Sequence, residues 1–280
     1  MSRPLPQLAD RDALARNRAR ACRRSGGPDL FLHDVAADEV HERLKEVKRS
    51  FTAPAVVTAF PDPWHRILPG ARIVADQPVL DLTPGAHDLV IHAMALHWAD
   101  DPVGQIIQSA RALKPDGLFL AVLPGGQTLH ELRTVLAEAE ASLTGGLSPR
   151  VLPMGELRDL GGLLSRAGLA LPVADVVTLP ASYRDLHHLA ADLRAMGEGN
   201  ALATRNRIPP NRALFRRAEA LYREHFADAD DPARLHATYE LVFLTGWTPH
   251  ESQQKPLRPG SAAMRLADAL GTGERPLKGQ

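Results

Sequence analysis

The stretch DLVIHAMALHWADDPVGQIIQSARALKPDGLFLAVLPGGQTLHELR, residues 88–133, decides how the chain folds. Residues 88–94 are mostly apolar and are bounded upstream by Thr83, Pro84 and Gly85, the pattern of a short strand. A helix is expected from Asp101 and Pro102, a capping carboxylate followed by a residue already set for the first turn. Val103, Ile106, Ile107, Ala110 and Leu113 then recur on one face. Lys114, Pro115, Asp116 and Gly117 stop it, and the continuous apolar run 117–123 reads as an internal strand of a parallel sheet covered by helices on both faces. Strand, helix and strand in this order form a βαβ unit, so the expected fold class is α/β.

Outward from that unit, residues 55–60 and 71–75 are two further apolar runs, the first ended by Pro61, Asp62 and Pro63, which block continuation of a helix or a ladder. Two helices precede them, over 9–23 and over 34–49, the second with Val35, Val40, Leu44 and Val47 as its buried stripe. Downstream, helices are expected over 128–143, 155–166, 183–196 and 211–226, strands over 174–179 and 238–246, and a short helix over 263–270 in an otherwise patternless tail. The organisation that results is an N-terminal helical segment (1–50), an α/β domain (51–252) with a helical insertion at about 182–228, and a tail (253–280).

Lys+Arg and Asp+Glu both total 33, so no global field draws the chain to nucleic acid or to an anionic membrane. No run approaches the ~20 apolar residues of a membrane-spanning helix. The arginine-rich residues 1–27 carry Asp10 and Asp12 and no apolar centre, and read as a mature helix, not a presequence. A single cysteine, Cys22, excludes an internal disulfide and fits a reducing compartment, here the cytoplasm. His87, His92 and His97 are spaced five apart and share no helix face, HExxH is absent, and no metal is expected. Gly125, Gly126, Gln127 and Thr128 lack the lysine and the earlier glycine of a phosphate loop and read as a strand-to-helix turn.

Residues 88–133, together with 10–20, the motif Met196–Gly197–Glu198–Gly199–Asn200, and the closing segments 239–253 and 259–261, resemble the S-adenosylmethionine (SAM)-dependent methyltransferase-like proteins of the respiratory complex I assembly-factor family. They are also similar to the malonyl-carrier-protein methyltransferases of biotin synthesis. The likeness covers nearly the whole chain. It implies a Rossmann-like class I methyltransferase sheet, SAM as cofactor, modification of a protein side chain or a small acid, and a complex I subunit as partner. The family's eukaryotic branch is associated with arginine hydroxylation on such a subunit. The alternative is a catalytically inactive assembly factor that keeps the fold and its protein-binding surfaces.

The first strand tests this implication. Methyltransferases of this fold carry an acid and a run of glycines directly after it, because the backbone passes close to the methionine part of SAM. Here the residues are Phe60, Pro61, Asp62, Pro63, Trp64 and His65. Only about two dozen residues separate Phe51 from Asp76, roughly half of what a strand, glycine loop, helix and two further strands need. The sheet is therefore expected to be shortened near its first two strands, with the ribose-binding acid lost. By spacing, 73–77 matches the family's third strand. That makes Asp76 and Gln77 candidates for the adenine, although a solvated carboxylate opening a turn suits Asp76 equally well. His97 (grouped with the cofactor residues) and Trp98 follow strand 88–94, where similar proteins place the methyl-transfer pocket; core packing is the commoner fate of such an indole. Thr128, Arg133 and Asn200 fall in family-like motifs and are candidates for a protein or carboxylate substrate, with Gln127 replacing the acid common there.

Overall fold

The structure, a computed structural model, describes residues 7–253. The chain divides into two compact units, Met1–Pro249 and His250–Gln280, and the sheet lies in the first. The helix expected over 263–270 falls outside the described residues.

Strands β1 (Pro54–Val57), β2 (Arg72–Val74), β3 (His87–Ala93), β4 (Leu113–Pro124), β5 (Ala170–Tyr183) and β6 (Leu235–Trp247) form a six-stranded sheet in the order β2-β1-β3-β4-β6-β5. The pairs β1–β2, β1–β3 and β3–β4 are parallel, whereas β6 runs antiparallel to both β4 and β5. The chain leaves β1 for β2 on one side and returns to β3 on the other. Strand order therefore reverses between β1 and β3, where a sheet of this kind opens a crevice at the carboxyl ends of its strands. This is the Rossmann-like sheet of class I methyltransferases, short by a strand next to β1: the segment matched to the family's third strand pairs directly with β1, Val56 opposite Ile73.

Successive side chains alternate between two cores, which is why the central strands read as unbroken apolar runs. Val56, Ile91, Leu120 and Phe243 pack with Val40 of α2 (Phe31–Glu46) and Val135 of α5 (His130–Thr144). Val57, Val90, Phe119 and Val242 face Ile106 of α4 (Pro102–Ala112) and Leu164 of α6 (Leu157–Arg166). The expected cap is present: the Asp101 side chain accepts from the Gly104 amide at 2.8 Å. No helix among the described residues is long and apolar enough to cross a membrane.

Several boundaries differ from expectation. Pro61 and Pro63 do not block a helix; they start one, α3 (Asp62–Ile67), because the missing amide hydrogens fall where a first turn has no acceptor to satisfy. β4 begins at Leu113, inside the segment read as a stop, because Leu113 pairs with His87 through a local register shift before the regular ladder begins at Leu118. Helix α2 starts at Phe31, three residues early. β5 and β6 run well past 174–179 and 238–246, since antiparallel pairing continues to Tyr183 opposite Leu235.

Helix α1 (Arg11–Cys22) lies against residues 197–202. The Asp10 amide donates to the Ala201 carbonyl at 2.7 Å, and Asn17 Nδ2 to that of Gly199 at 2.9 Å. Gly197 sits at φ +80°, and a β-carbon there would stand 3.1 Å from the Arg18 α-carbon and 3.2 Å from Phe60. Gly197→Ala is expected to cost about 2 kcal/mol, from the left-handed backbone and the pressure on α1 together. A urea midpoint equal to that of the unaltered protein would contradict it.

Candidate functional site

Asp76 follows β2 at the carboxyl edge of the sheet, and α1 reaches across to it. The carboxylate is 5% exposed and accepts from Arg18 Nη1 at 2.9 and 3.0 Å, while Arg11 donates to its backbone carbonyl. Asp76 is therefore neither solvated nor free. The Gln77 side chain is exposed; its carbonyl accepts from Gln105 Nε2 at 2.9 Å, and Gln105 Oε1 lies 2.6 Å from His92 Nε2. Burial pushes the His92 imidazole down to about 4, with Gln105 opposing. Beyond β1, Phe60 is buried and stacks edge-on against His33, ring centres 5.2 Å apart.

Glu198 joins the next group of side chains. Its Oε2 accepts from the Trp98 indole at 2.8 Å and lies 3.4 Å from His97 Nε2. Burial alone would raise this carboxyl, but His97, Arg18 and the Trp98 hydrogen bond hold it down to about 2, so it is an anion at any ordinary pH. His33 is almost fully buried, and burial pushes its imidazole down to about 4 despite the nearby Glu198. The Nδ1 atoms of His33 and His97 and two guanidinium nitrogens of Arg18 are buried without hydrogen-bond partners.

The turn after β4 is a closed structural unit. The Gly125 amide donates to the Glu240 carbonyl at 2.8 Å, and the Gln127 amide to the Glu240 side chain at 3.1 Å. Thr128 Oγ1 donates to the Glu240 carbonyl and accepts from its amide, both at 3.0 Å. A β-carbon on Gly125 would meet Glu240 Oε1 at 2.6 Å, so glycine is what allows the strands to approach. These amides are spent within the protein, in accord with a strand-to-helix turn. Arg133 braces the same turn, donating to the carbonyls of Gly126 and Thr128 at 3.3 and 3.2 Å.

Between this turn and α1 lies a cavity of about 630 Å3. Trp98, Thr128 and Asn200 line it, together with His33 and Glu198, so three of the sequence candidates meet there. Asn200 is fixed by its donation to the Pro149 carbonyl at 2.9 Å and by the Leu202 amide at 3.0 Å. His97 touches the group through Glu198, whereas Asp76, Gln77 and Arg133 are not among the lining residues.

No family model matches the chain. The arginine-hydroxylase NDUFAF5, mitochondrial, of Rattus norvegicus is 35% identical over 241 residues, covering 84% of this chain and 69% of that protein. The chain belongs to this methyltransferase-like family of respiratory complex I assembly factors. Its similarity extends to the malonyl-[acyl-carrier protein] O-methyltransferase of Laribacter hongkongensis, 34% identical over 68% of this chain and 61% of that one. Among solved structures, the YcgJ protein of Bacillus subtilis superposes with a TM-score of 0.46 at 12% identity, covering 76% of this chain and 99% of that one. The chain spans 64% of the length of the Danio rerio family member.

The family's fold is that of SAM-dependent enzymes, and the residues at the β1–β2 corner do not fit that cofactor in its usual pose. No glycine occurs in 57–68, Phe60 is buried directly after β1, and the acid that follows β2, Asp76, is paired with Arg18. Glu198, Arg18 and His33 are functional candidates that sequence reasoning passes over. The signal available for Glu198 is its place in the family motif 196–200; for Arg18 and His33, burial decides and no local pattern announces it.

Proposed function

We propose that this chain serves respiratory complex I assembly as a methyltransferase-fold binding protein of the cytoplasm, holding a protein side chain or a small acid in the 630 Å3 cavity without SAM in its usual pose. The observation that carries this reading is the buried Asp76–Arg18 pair, which consumes the carboxylate an adenosine would need. Displacing α1 to free it would leave an unpaired carboxylate whose side chain is 7% exposed, a cost of several kcal/mol. The names of the family's relatives give arginine hydroxylation as the chemistry of those proteins.

A second reading, an enzyme that transfers a methyl group from SAM, draws on the position of the cavity beside Met94 and Pro124, at the carboxyl ends of β3 and β4. The two are separated by melting the protein with millimolar SAM. A ligand at a hundred times its Kd stabilises the folded state by about 2.7 kcal/mol, several degrees in melting temperature. The binding-protein reading expects no shift, and a shift of that size overturns it. It also expects complex I subunits to co-purify with the tagged chain, and Asp76→Asn to leave that association intact. Failure to recover any such subunit from cells in which complex I is being assembled counts against it.

A further inference from the structure

We infer that the cavity is a binding site for a single-chain amphipathic carboxylate, an aliphatic chain with one acid group, entered tail first. This deepens the reading above by naming a ligand class for the same cavity. The inner wall is apolar and buried, with Leu132, Leu152 and Met196 among its residues. Three methionines, Met94, Met154 and Met196, supply unbranched, deformable surface that suits a flexible chain. The outer rim carries the charge. Arg16 and Arg194 are exposed and have no ion-pair partner among the described residues. Arg207 shares Asp10 with Arg205, at 3.6 and 2.8 Å, so a single carboxylate faces two guanidinium groups there.

Lining charges of opposite sign thus stand at different parts of the wall. Glu198, its side chain 21% exposed, is an anion beside the buried Trp98 and His97 and repels an acid group from that part of the wall, while the rim guanidiniums attract it. The same polarity disfavours a cationic side chain at the mouth. Ile208 and Phe215, 73% and 42% exposed, add apolar surface at the rim, where the upper part of a chain would lie. The volume falls in the range of small-molecule sites.

The test is calorimetric titration of the full chain with sodium octanoate, decanoate and dodecanoate below their micellar concentrations. Affinity is expected to tighten about tenfold for each two-carbon step, because each buried methylene contributes about 0.8 kcal/mol. The double variant Arg16→Gln, Arg194→Gln is expected to weaken dodecanoate at least tenfold while leaving dodecanol unchanged, which also reports that the cavity is intact. Absence of dodecanoate binding, affinity independent of chain length, or dodecyltrimethylammonium binding as tightly as dodecanoate overturns the assignment. A protein that fails to bind dodecanoate yet retains complex I subunits overturns this inference alone; one that binds dodecanoate and retains none overturns the earlier reading alone.

Discussion

Replacing Glu198 by alanine is expected to destabilise the protein by about 3 kcal/mol. The carboxylate is the acceptor for the Trp98 indole at 2.8 Å and the counter-charge beside His97 and Arg18. Removing one partner of a fully buried charged pair costs roughly 3–5 kcal/mol, and here the buried Trp98 indole would lose its acceptor. The lower end applies here, since the Glu198 side chain is 21% exposed. Glu198→Gln keeps an oxygen for the indole and is expected to lose about half as much. Urea unfolding followed by tryptophan fluorescence reads both variants, and an alanine variant as stable as the parent would remove Glu198 from the centre of the site.

Acid is expected to unfold the protein unusually early, through His33 and His92. Both imidazoles are buried, and burial lowers each to about 4, whereas in the unfolded chain they titrate near 6.5. Between those values the unfolded state binds two protons that the folded state refuses, so stability is full above about 6.5 and falls as the pH drops toward 4. The slope in mid-window is about 2.7 kcal/mol per pH unit, and the loss on the order of 3 kcal/mol per histidine, against a total stability of about 5–15 kcal/mol. His33→Leu is expected to halve the slope, since the ring packs on Phe60 and its Nδ1 has no partner to lose. Denaturant titrations at pH 4.5, 5.5 and 6.5 giving one common free energy would refute it. Glu198 adds to the loss only at lower pH: held near 2 in the fold, it contributes stability that is present above the ordinary carboxylate value and disappears as the pH falls below it.

Parts of the site were legible because their signals are local. Thr128 follows two glycines that end a strand, and the need for a tight turn there is visible in the order of residues; its closure on Glu240, across 112 positions, is not. Trp98 is core and cavity wall at once, 3% exposed and among the lining residues. Asn200 is a cavity residue, yet its neighbour Glu198 holds the charge that meets Trp98 and His97, and a lone acid between two glycines has no pattern that announces those partners. Asp76 leaves two readings open from sequence, and the structure removes the solvated one by pairing the carboxylate with Arg18, 58 positions away.

The order of polar and apolar residues by itself determined the α/β class, the βαβ unit of 88–133 and the loss of the glycine loop, because strand and helix periods, caps and breakers act over a few neighbours. Where α1 rests, which carboxylates are buried, and how guanidiniums and methionines come to share one cavity were decided only by the packed chain. Burial and ion pairing join residues far apart in sequence, and their energies exist only once water has been excluded from between them.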